Sequence, residues 1–136
     1  MVKFLTLVAD SSFLLSLIEE NSEALKIWEK TKNEGGKIYI PTITLTFFAS
    51  KCLQAGKDEY IDLMLAVLKQ TLNVNIVVCD IGIALDAGRI LNSLQLDVEE
   101  AYIVATATLK KAKKLLTTNK HKYTPAIETG LIDTTP

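Results

Sequence analysis

Short apolar runs alternate along the chain with longer segments in which apolar residues recur at helical spacing. Four of these runs are predicted β-strands: FLTLVA (4–9), KIYI (37–40), NIVV (75–78) and KLLTT (114–118). Strands that alternate with helices usually form a parallel sheet with helices on both faces. The runs are nearly continuously apolar, as expected for strands that are buried on both sides. The pattern therefore predicts an α/β fold.

Capping residues and helix-terminating residues place helices between these strands. Helices are predicted from Ser12 to about Glu20, from Ser22 to Gly35, after Pro41, after Gly56, from Ile83 to Ser93, and from Asp97 to about Lys113. The last helix is apolar on every side in its middle, so we expect it to be buried against the sheet. Thr124 and Pro125 predict a short turn, and LID (131–133) predicts an edge strand.

Length, charge and cysteine content exclude several classes of protein. The chain of 136 residues shows no linker or repeat, so residues 1–136 are predicted to form a single domain. The net charge of -1 gives no global argument for a nucleic-acid partner. No apolar stretch is long enough to cross a membrane, and Asp10 interrupts the only segment that resembles a signal peptide. Cys52 and Cys79 lack metal-ligand spacing and are expected to be reduced core residues. We therefore expect a cytoplasmic protein.

One carboxylate stands between two apolar segments. Asp10 lies in VADSSFLL, and an isolated ionised carboxylate in apolar surroundings is strongly unfavourable. Ligands of open parallel sheets bind outside the carboxyl ends of the strands. Asp10 follows the first strand, Asn119 follows the fourth, and Glu100 opens the buried helix. We therefore predict that these three residues share one edge of the fold and form the mouth of a site.

Each candidate residue also has a structural interpretation. Asp10 is a favourable helix N-cap, and Glu100 has capping-box spacing to Asp97. Asn119 is better explained as a turn residue than as a ligand. Other polar or aromatic residues are assigned from the local pattern alone. Ser11, Ser12 and Thr118 either cap helices or orient the site, and Asp80 caps the following helix. Asp86 and His121 are expected to be exposed, and Trp28 to belong to the core or to an interface.

Four stretches together resemble the PIN-domain family, in particular the toxin half of VapBC-type toxin–antitoxin pairs. They are VADSSFLLSL, IYIPTITLTFFAS, NIVVCDIGIALDAGRIL and EEAYIVATATLKKAKKLLTTNKHKY. The resemblance covers nearly the whole chain. It implies a three-layer α/β/α sandwich with a central parallel sheet of four to five strands, and a ribonuclease that cuts single-stranded RNA with Mg²⁺ or Mn²⁺.

The resemblance also implies a cluster of carboxylates, of which this chain keeps only part. Asp10 matches the first family acid, and Glu100 matches the third as a longer homologue. Phe47 stands six positions after Pro41, where the family has Glu, and its ring is expected near the metal pocket unless it turns inward and Phe48 faces outward. Asn119 and His121 replace the remaining acids. We therefore expect Asp10, Glu100 and Asn119 to bind Mg²⁺ or Mn²⁺ weakly.

Two hypotheses about function remain open at this point. The first is a weakened, metal-dependent PIN-type ribonuclease in which Asp10 and Glu100 are catalytic and Ser11, Ser12 and Thr118 support them. The second is a PIN-like module that has lost catalysis and binds RNA or a protein. A third class, phosphoryl transfer on Asp10, would require further acidic residues beside it, and serines follow instead.

The partners expected from the sequence follow from local charge and from the resemblance. The only basic cluster flanks the fourth strand and is either a solvated face or a surface for phosphate, with Lys120 and Lys122 as the candidate nucleic-acid contacts. By resemblance, the protein forms a homodimer and binds a small antitoxin protein. No membrane partner is expected.

Overall fold

Five parallel strands form the central sheet in the order β3-β2-β1-β4-β5. The structure, a computed structural model, describes residues 5–134. The strand bounds are β1 Thr6–Ala9, β2 Lys37–Pro41, β3 Val74–Val77, β4 Lys114–Leu116 and β5 Asp133–Thr134. Phe4, which the apolar pattern includes in the first strand, lies outside the described residues. The predicted parallel α/β sheet is confirmed.

Seven α-helices and one 3-10 helix connect the strands within the described residues. Their bounds are α1 Ser11–Ile18, α2 Ser22–Asn33, α3 Thr42–Gln54, α4 Glu59–Gln70, α5 Ile81–Leu94, α6 Val98–Lys110, the 3-10 helix Lys120–Tyr123 and α7 Thr124–Glu128. The predicted helices are all present, with ends that shift by a few residues. No helix of the described part of the chain is long and apolar enough to cross a membrane.

Alternate residues of β1 point into two separate hydrophobic cores. Leu7 and Ala9 pack with residues of α1 to α4, whereas Val8 packs with residues of α5, α6 and α7. Because successive side chains of a strand point to opposite faces, these two cores lie on opposite sides of the sheet. The result is the α/β/α sandwich that the resemblance implies.

Helix α6 lies against the second core and begins beside the carboxyl ends of the strands. Eight of its residues are buried, from Glu99 to Ala107 except for Tyr102, which confirms the predicted buried helix. The capping box is wrong, because the Asp97 side chain makes no capping hydrogen bond although its backbone has N-cap geometry. Asp80 does cap α5, by accepting a hydrogen bond from the Ile83 N–H at 3.0 Å.

Asp10 directly follows the central strand β1, which is paired to β2 on one side and β4 on the other. Its N–H donates to the Leu116 carbonyl oxygen at 3.1 Å, so the β1–β4 ladder continues to the last residue of β4. The chain then turns into α1. This topology brings the carboxyl ends of β1 and β4 together, and the candidate site lies there.

Candidate functional site

The Asp10 carboxylate accepts four hydrogen bonds from other residues of the chain. Its Oδ1 accepts from the Ser12 hydroxyl at 2.6 Å and from the Phe13 N–H at 3.1 Å. Its Oδ2 accepts from the Thr117 hydroxyl at 2.6 Å and from the Tyr123 hydroxyl at 2.9 Å. A carboxylate offers about four lone-pair sites, so these donors use its full capacity. Asp10 is therefore both the N-cap of α1 and the centre of a polar network.

This network joins the loop after β4 to the start of α1. The Ser12 hydroxyl lies 3.1 Å from that of Thr117 and accepts a hydrogen bond from the Thr118 N–H at 2.9 Å. The Asn119 N–H donates to the Thr117 hydroxyl oxygen at 2.9 Å. Thr118 and Asn119 thus contribute backbone groups here, and the hydroxyl that reaches Asp10 belongs to Thr117. We call Asp10, Ser12, Thr117 and Tyr123 the Asp10 network.

Glu99, in the first turn of α6, holds the first residue of α1. Its Oε2 accepts from the Ser11 N–H at 2.8 Å, and its Oε1 accepts from the Ser11 hydroxyl at 2.8 Å. The Lys51 ammonium of α3 also donates to the Ser11 hydroxyl oxygen, at 2.8 Å. Ser11 is fully buried. Its hydroxyl therefore joins three helices and is not accessible to a substrate.

Glu100 has a much sparser environment than its neighbour in sequence. Its side chain is 6% exposed, and the Lys122 ammonium lies 3.7 Å from its Oε1. That distance is an ion pair but is too long for a good hydrogen bond. Lys122 is 46% exposed along its side chain, so solvent screens this pair from one side. Among the described residues, Lys122 is the one ion-pair partner of Glu100.

The three acids are close enough to perturb the ionisable groups around them. Burial raises the pKa of Glu99, and the charge of Asp10 adds to the increase against the opposing hydrogen bonds from Ser11. Burial also raises the pKa of Glu100, and the charges of Asp97 and Asp10 add to it, while its own backbone N–H and Lys122 oppose it. Nearby lysines thus do not fully compensate for the buried charge.

Tyr123 also lies close enough to Asp10, Glu99 and Glu100 for their charges to affect its hydroxyl. Burial raises the pKa of its hydroxyl well above the usual range, and the charges of Asp10, Glu99 and Glu100 raise it further. A neutral phenol can donate to Asp10, whereas a phenolate cannot. Tyr123 therefore remains a donor throughout the physiological range, beside all three acids.

The positions that depart from the family pattern have clear environments. Phe48 is 2% exposed and belongs to the core, whereas Phe47 is half-buried, so Phe47 is not the ring that turns fully inward. Phe47 and Lys51 are four residues apart in α3 and share a helix face. Since Lys51 reaches Ser11, this face points towards the site. Asn119 is half-buried and His121 is exposed.

The basic cluster divides into two groups in the structure. Lys113 precedes β4 and Lys114 begins it, whereas Lys120 and Lys122 follow its carboxyl end in the 3-10 helix. Lys114 pairs with Asp133 at 2.9 Å. Only the second group lies at the same edge of the sheet as Asp10.

Four residues of the site were not singled out from the sequence: Lys51, Glu99, Thr117 and Tyr123. Glu99 and Thr117 stand next to predicted site residues, and their neighbourhood in the sequence was the available signal. For Lys51, helical spacing from Phe47 was the only indication. Nothing in the local sequence distinguishes Tyr123 from an ordinary core aromatic.

A sequence-family comparison identifies the chain. The family model for the PIN domain matches residues 7–125. The chain therefore belongs to the PIN-domain family. A search among curated proteins gave no match.

Solved structures similar to this chain are VapC toxins of VapBC toxin–antitoxin systems. One is VapBC2 from Rickettsia felis bound to a DNA fragment from its promoter, with a TM-score of 0.74, 14% identity, and coverage of 96% of this chain and 98% of that chain. A toxin–antitoxin complex from Klebsiella pneumoniae has a TM-score of 0.64, 20% identity, and coverage of 85% and 88%. Mycobacterium tuberculosis VapC20, a sarcin-ricin loop cleaving toxin, has a TM-score of 0.73, 10% identity, and coverage of 87% and 93%. At these identities the likeness establishes the fold.

PIN nucleases generally use divalent metal ions, so the donor set has to be tested against such an ion. Within residues 5–134, no group of three or more His, Cys, Asp or Glu side chains has the arrangement of a metal site. A hydrated Mg²⁺ nevertheless requires only about one or two carboxylates, with waters in its other positions. Glu100 fits this requirement, since it is buried and incompletely compensated. Asp10 fits as a second carboxylate when one of the hydroxyl groups that donate to it releases its hydrogen bond, because a lone pair of Asp10 then becomes free for the ion.

Proposed function

We propose that this protein is the toxin half of a VapBC-type pair and acts as a weak, metal-dependent endoribonuclease on single-stranded RNA in the cytoplasm. The observation that carries the proposal is Glu100, a buried carboxylate with an incompletely compensated charge, beside Asp10 at the carboxyl end of the sheet. Family membership and the fold shared with VapC toxins support the reaction class. Buried acids with perturbed pKa values in such a position are typical of functional sites.

In this proposal Asp10 and Glu100 hold one Mg²⁺ or Mn²⁺, and Asn119 contributes a neutral oxygen. The bound ion would activate water and stabilise the negative charge that develops at an RNA phosphate. Ser12, Thr117 and Tyr123 keep the Asp10 carboxylate in a fixed orientation. Glu99 and Ser11 fix the start of α1 against the start of α6. Lys120 and Lys122 attract the RNA backbone.

A second candidate function is a PIN module that binds RNA or a protein without turnover. The saturation of Asp10 by four donors favours it, because each lone pair given to a metal ion costs a hydrogen bond. Phe47 also supplies an apolar ring on the face of α3 that points towards the site.

The two candidates differ in one experiment. Purified protein is incubated with a labelled single-stranded RNA in Mn²⁺, in Mg²⁺ and in excess chelator, alongside Glu100→Gln and Asp10→Asn. We expect slow cleavage by the wild type with either metal, a loss of at least about tenfold in each variant, and none in chelator. Glu128→Gln, an exposed acid on α7, is the matched control and should cleave as the wild type does. RNA binding with no cleavage under any condition would favour the second candidate.

The proposal includes two protein partners. One of the similar structures is VapBC2 and another is a toxin–antitoxin complex, which supports a small antitoxin as partner. We also propose a homodimer, supported by the exposed apolar side chains Val78, Ile81 and Leu85 near the edge strand β3. Light scattering of the purified chain, with Ile81→Glu for comparison, tests the dimer. A monomeric mass for the wild type would contradict it.

A further inference from the structure

We propose that the Lys122 ammonium is a built-in competitor for the cation position at Glu100, so that a divalent ion binds only by displacing it. This inference rests on the proposed function, since it concerns the same carboxylate. It assigns a specific cause to weak metal binding: the site keeps a counter-cation of its own beside the carboxylate. Three features of the structure carry the argument.

The first feature is the difference between the two lysines of the site. Lys51 donates a hydrogen bond of 2.8 Å to the buried Ser11 hydroxyl and is itself half-buried. The Lys122 ammonium lies 3.7 Å from Glu100 Oε1, which is too far for a hydrogen bond, and nearly half of the Lys122 side chain is exposed. Lys51 is therefore fixed as part of the structure. Lys122 can move into solvent without disturbing a packed group.

The second feature is the carboxylate that Lys122 faces. Glu100 is almost fully buried, and among the described residues its partners are its own backbone N–H and the Lys122 ammonium at 3.7 Å. Glu99, by contrast, accepts two hydrogen bonds from Ser11. A buried charge requires a partner, and an ammonium at this distance is a poor substitute for direct coordination. Glu100 is therefore available to a second cation.

The third feature is the location of Lys122 on the 3-10 helix, directly before Tyr123. Tyr123 is fully buried and donates to Asp10, so it fixes the backbone beside Lys122. This backbone holds the Lys122 side chain near Glu100. The local concentration of the ammonium is consequently high, and a divalent ion always competes with it.

The test is Mn²⁺ binding to the whole protein, measured by calorimetry and by the loss of the free-ion signal in electron paramagnetic resonance. Lys122→Gln should bind Mn²⁺ about tenfold more tightly than the wild type, because the ion no longer has to displace an ammonium from the Glu100 carboxylate. Lys122→Arg keeps the charge and should bind as the wild type does. Lys120→Gln makes the same change of net charge two residues away and should shift the affinity by less than about twofold.

Two outcomes would overturn the inference. The first is a Lys122→Gln protein that binds Mn²⁺ no more tightly than the wild type, or not at all. The second is an equal gain in Lys120→Gln, which would show that the net charge of the loop is responsible. The proposed function can fail independently of this inference. If Lys122→Gln gains Mn²⁺ affinity but neither protein cuts RNA, the role of Lys122 is supported and the ribonuclease activity is rejected. If the wild type cuts RNA in Mn²⁺ and Lys122→Gln gains no affinity, only the competitor is wrong.

Discussion

Two carboxylates at the same edge of the sheet, those of Asp10 and Glu100, have opposite environments. Asp10 is saturated by donors from α1, from the loop after β4 and from Tyr123. Glu100 has an exposed lysine at 3.7 Å as its ion-pair partner. Both residues are nearly fully buried, so burial alone does not distinguish them. The difference lies in the donors: four hydrogen bonds occupy the Asp10 carboxylate, whereas Glu100 has its own backbone N–H and an exposed lysine.

The largest expected effect is the loss of the Asp10 network. Asp10→Ala removes the acceptor of four donors, and we expect it to lower the free energy of unfolding by about 3 kcal/mol, because buried donors left without an acceptor are costly. Urea denaturation followed by circular dichroism measures the change. Glu128→Ala, an exposed acid, is the control. A loss below about 1 kcal/mol would mean that the network contributes little to stability.

A smaller effect is expected when one donor of the same network is removed. Tyr123→Phe keeps the buried ring but deletes the hydroxyl that donates to Asp10 Oδ2. The expected loss is about 1.5 kcal/mol, at the lower end of the range for a hydrogen bond to a charged acceptor. Tyr60→Phe, at a partly buried tyrosine of α4, serves as the matched control in the same denaturation experiment. Equal losses in the two variants would show that the Asp10 contact has no special weight.

The smallest effect concerns Glu100 and should have the opposite sign. Because the pKa of Glu100 is raised in the folded protein, its stabilising contribution is complete below its unfolded pKa and is lost as the pH rises through the folded value. Glu100→Gln mimics the protonated form, so at pH 7 it should melt slightly higher than the wild type. The difference should shrink as the pH falls below the unfolded pKa of glutamate, because Glu100 then becomes protonated in both states. Thermal melts across this range measure it.

Glu99→Gln is the matched comparison for Glu100→Gln. The pKa of Glu99 is also raised, but its two oxygens accept from the N–H and the hydroxyl of Ser11. An amide keeps only one of these acceptors and turns an NH₂ group towards a donor. We therefore expect Glu99→Gln to melt below Glu100→Gln at pH 7. The reverse order would contradict the distinction between the two glutamates.

The sequence by itself determined the order of strands and helices along the chain. It also indicated which residues lie at the edge of the sheet where the candidate site is found. Apolar runs and capping residues act locally, so β1, β2, β3 and β4 and the helices between them could be located within a few residues. The carboxyl-end rule for parallel sheets then placed Asp10 and Glu100 on one side. The same local reasoning proposed a capping box at Asp97 that the structure does not contain.

Only the tertiary structure decided which donors surround each acid. Tyr123 and Lys51 reach the site from 113 and 40 residues away in sequence, and such contacts have no local pattern. The sequence likewise could not tell that Glu99 holds Ser11 while its neighbour Glu100 faces Lys122. Adjacent residues of a helix point in directions about 100° apart, and what they meet depends on the elements packed around them. The chemistry of the site is therefore set by packing between distant segments.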